Sequence, residues 1–288
     1  MVPSLSPIKF LAALLAALTW SVLASTNAAA AEGPATLDLT NYRLVFDEDF
    51  DKLDVSEWGP GTRWIAHTPW NGDFGDSKFS EPTPGFPFTT TNGVLSIEAR
   101  KGDDGKWKSG LLASVDRDFN GFSQKYGYFE MRAKLPRGKG LWSAFWLIGK
   151  ERSTTTAEID VIEHYGHKPT QYSTTVHVWD RTEKAQHRSE GSAVQVQPDS
   201  LYTQFNTFGV RIDPETIRFY LNRKQVWETP TPPEHQQEHY VLLNLAMGPG
   251  WPIDETPNHS KLLVDYVRVW ALPEKITQKP SADANERH

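Results

Sequence analysis

Beyond residue 31 the sequence sustains no long apolar period of 3.6 residues. Short runs rich in Val, Ile, Tyr, Phe and Trp recur instead, set apart by clusters of Gly, Pro, Asn and Asp. The runs predict strands over 43–46, 94–99, 110–115, 125–134, 143–148, 157–163 and 172–178, and then over 205–212, 216–221, 240–245 and 261–270. Strands of this length bury their apolar faces only by stacking sheet on sheet, so the expected fold is all-β, a sandwich of two antiparallel sheets. Residues 32–272 are long enough for one large domain of this kind. Two segments break the pattern. Residues 62–88 are rich in Gly, Pro and Trp, and a loop this long inside a domain is usually functional. Residues 273–288 are polar and without apolar periodicity, and read as a disordered tail.

The first 31 residues read differently: Lys9, an apolar run over 10–24 and the small residues Ala28 to Ala31 suit an export signal with its cleavage site. A retained anchor is the alternative, but the run is shorter than the ~20 apolar residues that a spanning helix needs. The expected location is secreted or periplasmic, with no membrane association after removal of the signal. The chain has no cysteine, so an exported form holds together through its core without disulfides, with or without a bound ion. Its net charge is −6, and −7 without the leader and its one lysine. Nucleic acid, whose phosphates call for a basic surface, is thereby excluded as a partner. Neutral or weakly charged polymers stay open, and the chain is expected to be a monomer.

The predicted strand at 157–163 carries an unusual load. In Ala157-Glu158-Ile159-Asp160-Val161-Ile162-Glu163-His164 three carboxylates stand among β-branched residues. Alternation projects Glu158 and Asp160 from one face, and a β-bulge near Val161 and Ile162 would bring Glu163 round to join them. Two carboxyl groups held about 5–5.5 Å apart are what a retaining glycosidase needs, one as nucleophile and one as proton donor. A cation site built from three oxygen ligands and a solvated strand face are the competing readings. Like charges held together are also what perturbs pKa at functional sites.

This octet, with Tyr126-Gly127-Tyr128-Phe129-Glu130-Met131-Arg132-Ala133-Lys134-Leu135-Pro136 and Gly140-Leu141-Trp142-Ser143-Ala144-Phe145-Trp146-Leu147 upstream, resembles glycoside hydrolase family 16 in its bulged form, Glu-x-Asp-x-x-Glu. The resemblance extends from Leu44-Val45-Phe46 to Val264-Asp265-Tyr266-Val267-Arg268-Val269-Trp270. It implies a β-jelly roll whose concave sheet forms a glycan cleft. It also implies Glu158 as nucleophile, Glu163 as acid/base and Asp160 between them, with no cofactor for catalysis. The chain has eleven tryptophans, whose flat faces can stack on a pyranose while the N–H finds a partner. Trp58, Trp107, Trp227 and Trp270 accompany strands and read as core. Trp142, Trp146 and Trp251 are the cleft residues that the resemblance favours, with Trp179 and His177 one strand beyond the acids. Asn244, inside an apolar run, must be hydrogen-bonded, to a sugar hydroxyl or to backbone.

The family also implies a structural calcium held by oxygens that would here belong to Asp49, Gly93 and Asp265. The long loop resembles that of bacterial enzymes trimming succinoglycan-type polysaccharides, which would place Arg63, Trp64, His67, Trp70 and Asn71 along the cleft; the alternative is that the loop covers a sheet edge. The expected activity is endo-hydrolysis of a β-1,3-1,4-linked glucan or exopolysaccharide with retention. A β-1,3-glucanase of laminarinase type, a transglycosylase on the same site and a non-catalytic lectin are the alternatives.

Overall fold

The computed structural model describes residues 36–182, 186–248 and 250–273; the expected leader at 1–31 and, apart from Pro273, the expected tail lie outside the described residues. Every run expected to be a strand is one. In chain order the strands are β1 (Arg43–Glu48), β2 (Val55–Ser56), β3 (Trp64–Ile65), β4 (Lys78–Phe79), β5 (Phe88–Thr91), β6 (Val94–Lys101), β7 (Trp107–Ser109), β8 (Leu111–Ala113) and β9 (Gly127–Lys134). They continue as β10 (Leu141–Gly149), β11 (Thr155–Tyr165), β12 (Gln171–Asp180), β13 (Arg188–Gln195), β14 (Asn206–Ile212), β15 (Thr216–Leu221), β16 (Lys224–Pro230), β17 (His239–Met247) and β18 (Ser260–Ala271). One turn of α-helix, Ser200–Thr203, interrupts them, and no described helix is long and apolar enough to cross a membrane.

The strands form a β-jelly-roll sandwich. One sheet runs β16-β15-β14-β9-β18-β6-β7-β4, with β1 paired to β18 and β5 to β6. The other runs β13-β12-β11-β10-β17-β8-β3-β2. The expectation of purely antiparallel sheets needs one correction. The β2–β3 and β4–β7 pairings are parallel, made by two- and three-residue strands at the sheet margins, where single hydrogen-bonded steps set direction rather than hairpins. The unexpected β13 and β16 are the outer strands of their sheets. In β13 only Val194 is buried, so backbone pairing to β12 holds a strand that has no apolar alternation to read.

Alternation along β10, β11 and β17 sorts side chains to two sides. Phe145 and Leu147 of β10, Ile159 of β11 and Leu243 and Leu245 of β17 enter the core between the sheets, against Phe129 and Met131 of β9 and Val267 and Val269 of β18. Ala144, Trp146 and Ile148 of β10 and Tyr240, Leu242 and Ala246 of β17 belong to a second apolar cluster, with Ile65 and Phe79. That second cluster exists because the 62–88 segment folds back over this sheet. Asp76 donates its backbone N–H to the Met247 carbonyl at 2.7 Å. Gly75 sits beside that contact with φ +74, where a Cβ would lie 2.2 Å from the same oxygen. Covered on both faces, β17 is buried along its whole length. The loop therefore forms one wall of a cleft as well as a cover.

Glu130 of β9 shows how this fold treats a buried carboxylate that has a structural task. It is fully buried in the first sheet. Arg223 holds it at 2.9 and 3.0 Å, and the hydroxyls of Tyr128 and Tyr266 donate to it at 2.8 and 2.9 Å. Every oxygen is accounted for by a donor.

Candidate active site

The register of β11 with its neighbours shows how the three acids reach one side. Asp160 stands opposite Trp146 and Thr175, whereas Glu163 stands opposite Ala144 and Ser173. Two residues, Val161 and Ile162, thus occupy the place facing Thr174, which is the expected β-bulge. The Thr174 hydroxyl donates to the Asp160 carbonyl at 3.1 Å. A backbone acceptor that the bulge takes out of the ladder is satisfied in this way. Ile159, Val161 and Ile162 all enter the inter-sheet core, and Glu158, Asp160 and Glu163 all line a cavity of about 190 Å³ on the opposite side. Trp70, Phe74, Trp142, Ala144, Trp146 and Asn244 complete its lining.

Each glutamate receives an indole N–H. Trp179 Nε1 donates to Glu158 Oε2 at 2.8 Å, and Trp142 Nε1 donates to Glu163 Oε1 at 3.1 Å. The Tyr165 hydroxyl, two residues along the same strand face, donates to the same Glu163 oxygen at 3.0 Å. Among the described residues no protein donor reaches Glu158 Oε1 or Glu163 Oε2, and both residues line the cavity. Between them stands Asp160, 4% exposed, 3.0 Å from His177 Nε2. His177 in turn meets His187 Nε2 through its Nδ1 at 3.0 Å. His235 Nε2 donates to the His177 carbonyl, at 3.0 Å, and so braces that strand from outside.

Burial is the main electrostatic fact of the site. It raises all three carboxyls above the ordinary range, Glu158 to about 8, with the Asp160 charge adding to the effect on Glu158. Burial raises Asp160 most plainly, and the Glu163 charge reinforces it. For Glu163 burial is opposed by the Tyr165 and Trp142 donors. His177 is pushed down by burial, against the pull of Glu158 and Glu163. Three like charges this close cannot all form in a low-dielectric cavity, so the trio shares at least one proton through the neutral range.

Most of the expected binding residues are brought together here. Trp142, Trp146, Trp70 and Asn244 line the cavity, and Trp179 and His177 contact the acids from β12. Asn244 is fully buried; its Oδ1 accepts from Trp146 Nε1 at 2.9 Å, and its Nδ2 has no protein partner. Trp251 stands further along, ring to ring with Tyr165 at 4.8 Å and His167 at 4.7 Å. Phe74, Tyr165 and His187 were not anticipated as site residues. For Tyr165 the signal was its place two positions beyond Glu163 on the same strand face. Phe74 and His187 arrive from loops, and only the fold brings them in.

Other expectations need correcting. Arg63, Trp64 and His67 do not edge the cleft. Trp64 is fully buried, donating to Glu48 at 2.8 Å, and Arg63 lies over the Phe46 ring and pairs with Glu48 at 2.9 Å, because the chain dives between the sheets at β3. His67 is buried against the Trp58 ring, 4.2 Å away. Asn71 is exposed beside Trp70 and is not part of the cavity lining; its backbone closes a turn on Thr68. The suggested calcium ligands assemble only in part. Gly93 lies close to the Asp49 carbonyl, but the Asp49 carboxylate accepts the Asp51 N–H at 3.2 Å and Asp265 is ion-paired with Arg132. Asp49 and Gly93 thus lie side by side, while Asp265 is engaged by Arg132.

This geometry agrees with what the chain resembles. Over 258 residues it is 30% identical to the endo-1,3-1,4-beta-glycanase EglC of Rhizobium meliloti (strain 1021), covering 82% of this chain and 53% of the relative. It is 30% identical over 260 residues to ExsH, an endo-1,3-1,4-beta-glycanase of the same organism, with the same coverage. The chain thus spans about half the length of these relatives. Among solved structures, that of SCLam, a non-specific endo-beta-1,3(4)-glucanase, superposes with a TM-score of 0.68 at 24% identity, over 83% of this chain and 94% of SCLam. The profile of glycosyl hydrolases family 16 matches residues 85–268, a span holding the bulged acid strand, both of its neighbours and the Asn244 strand, and the chain belongs to that family.

Proposed function

We propose that the protein is a retaining endo-β-glycanase in which Glu158 attacks the anomeric carbon and Glu163 serves as acid and then base. The observation that carries this is the bulged strand. It sets two glutamates on one cavity face with an aspartate between them, each glutamate steadied at one oxygen and free at the other. The first step proceeds from the state in which the shared proton sits on Glu163 and Glu158 is ionised: the free Glu158 oxygen forms a glycosyl-enzyme bond while the Glu163 proton passes to the departing glycosidic oxygen. In the second step Glu163 takes a proton from water, whose oxygen displaces Glu158. Asp160 lies beside the nucleophile, and its negative charge opposes loss of the Glu163 proton until it is needed. The unpaired Asn244 Nδ2 is a donor for a sugar hydroxyl.

Aromatic residues lie at both ends of the acid row. Trp70 and Trp179, 39% and 38% exposed, stand toward Glu158, and Tyr165 and Trp251 stand toward Glu163. A chain bound across both ends suits cleavage within a polymer. The substrate we infer is a bacterial β-1,3-1,4-linked glucan or exopolysaccharide, as the names of EglC and ExsH suggest. Laminarin-type β-1,3-glucan comes second, on the likeness to SCLam. The N-terminal sequence supports export, secreted or periplasmic, where such polymers are met.

Two measurements test the reading. NMR of the first products of hydrolysis shows the retained anomer if Glu158 is a nucleophile; the inverted anomer would rule the mechanism out. Glu163→Gln keeps activity on aryl glycosides with acidic leaving groups, and added azide rescues it. Equal loss on activated and natural substrates would remove Glu163 from the acid/base role. A product profile from succinoglycan, lichenan, laminarin, agarose and κ-carrageenan separates the substrates.

A further inference from the structure

We infer that Glu57, His67 and Glu81 form a site for a borderline divalent metal ion of the Zn²⁺ type, outside the catalytic cavity. One carboxylate oxygen from each glutamate and a ring nitrogen of His67 lie within 4.8 Å of one another. These residues come from three separate places in the chain: just after β2, just after β3 and just after β4. Among the described residues neither glutamate is ion-paired, with Lys, Arg or His67 itself. Two uncompensated carboxylates are thus held beside an imidazole that they do not touch.

The histidine points to a ligand independently. His67 is 4% exposed, and its Nε2 is buried with no hydrogen-bond partner. A buried ring nitrogen without a partner is costly to keep, because it has given up water and gained nothing in return. Its other nitrogen, Nδ1, is turned toward Asp73 Oδ1 at 3.9 Å. At 3.9 Å that is not a hydrogen bond, but it keeps Nδ1 on the side of a carboxylate, the kind of partner metal-bound histidines give their second nitrogen, and leaves the unpartnered Nε2 for the ion. The ring plane is set by stacking on Trp58 at 4.2 Å and 13°, and Trp58 Nε1 also holds Glu57 at 2.6 Å.

The donor set selects the class of ion. Bonds of about 2.0–2.2 Å to one imidazole and two carboxylates place tetrahedral donors about 3.4 Å apart, a closure of at most about 1.4 Å that two exposed glutamate side chains can make. Calcium and magnesium take oxygen ligands and have no preference for the imidazole. With three protein ligands the fourth position is left to water. Such an ion would clasp the segment that presents Trp70 and Phe74 to the cleft, so it would stabilise the loop wall without entering the reaction.

Calorimetric titration of the purified, EDTA-treated protein with Zn²⁺ tests this, alongside thermal melts in Zn²⁺, Ca²⁺ and Mg²⁺. The expected result is one site of micromolar affinity and a midpoint raised by several degrees in Zn²⁺ only. Glu57→Gln/Glu81→Gln, both on exposed side chains, should weaken binding at least tenfold and abolish the shift. His187→Asn, which disrupts a close histidine pair away from this site, should leave both intact. Absence of Zn²⁺ binding up to 1 mM would overturn the proposal. So would binding that survives the double glutamate variant or disappears in His187→Asn.

Discussion

Removing one charge from the acid row should make the folded protein more stable, by an amount that grows with pH. Glu158→Gln is the perturbation: it keeps the shape and an oxygen for the Trp179 N–H but cannot ionise. In the folded protein burial and Asp160 lift the Glu158 carboxyl from the ordinary 4.5 to about 8. The folded state therefore holds this proton more tightly than the unfolded chain does. Its contribution is fully present below about pH 4.5 and is lost as pH rises to about 8. At about 1.4 kcal/mol per pH unit that interval amounts to roughly 5 kcal/mol. Part of it is shared with Asp160 and Glu163, so the difference assignable to one residue is about 2–4 kcal/mol. Urea unfolding followed by tryptophan fluorescence at pH 4.5, 6, 7.5 and 9 measures it. The variant and wild type should agree within about 1 kcal/mol at the acid end, and the variant should be ahead by about 2–4 kcal/mol at pH 9. Titrations elsewhere cancel in the difference. A gap that stays flat with pH, or favours wild type at pH 9, would show that the three carboxyls do not crowd one another as argued.

Other perturbations address separate parts of the site. Asp160→Asn removes a charge that raises Glu158, so the acid limb of the pH–rate profile should move to lower pH while kcat falls about 10- to 100-fold, about 1.4–2.8 kcal/mol of barrier. Trp179→Phe keeps the ring but deletes a donor that favours ionised Glu158, so the acid limb should move up instead; Trp142→Phe should raise the alkaline limb by the same logic at Glu163. Gly75→Ala forces a Cβ into the Met247 carbonyl at positive φ, and should cost about 2 kcal/mol in urea melts and raise KM as Phe74 shifts. Arg223→Met strips the counter-charge from buried Glu130 and should destabilise by about 3 kcal/mol in the same melts without changing kcat.

Much of this protein was legible in the order of its residues. Period-two patterning located the long strands because a half-buried strand must alternate, and Glu158, Asp160 and Glu163 stood out because three acids among β-branched neighbours have few uses. Even the bulge could be anticipated, since without it Glu163 would enter the apolar core. The short strands β2, β3, β4, β5 and β7 and the edge strands β13 and β16 escaped, because backbone pairing at a margin needs no side-chain pattern.

What the sequence determined by itself was local: which stretches pleat, which faces are apolar, and which strand carries the acids. Contacts between segments distant in the chain were decided only by the tertiary structure. Trp64 and Trp70 lie in the same Gly- and Trp-rich loop, yet one is sealed between the sheets and the other lines the cleft. No local signal separates them, because the turn that diverts the chain at β3 is held by Glu48 from another strand. His177 likewise touches Asp160 through strand register, and meets His187 only where the chain after β12 folds back. The Glu57, His67 and Glu81 donors converge for the same reason: burial of the apolar residues between them draws the loop inward, and the polar groups follow the backbone they are attached to.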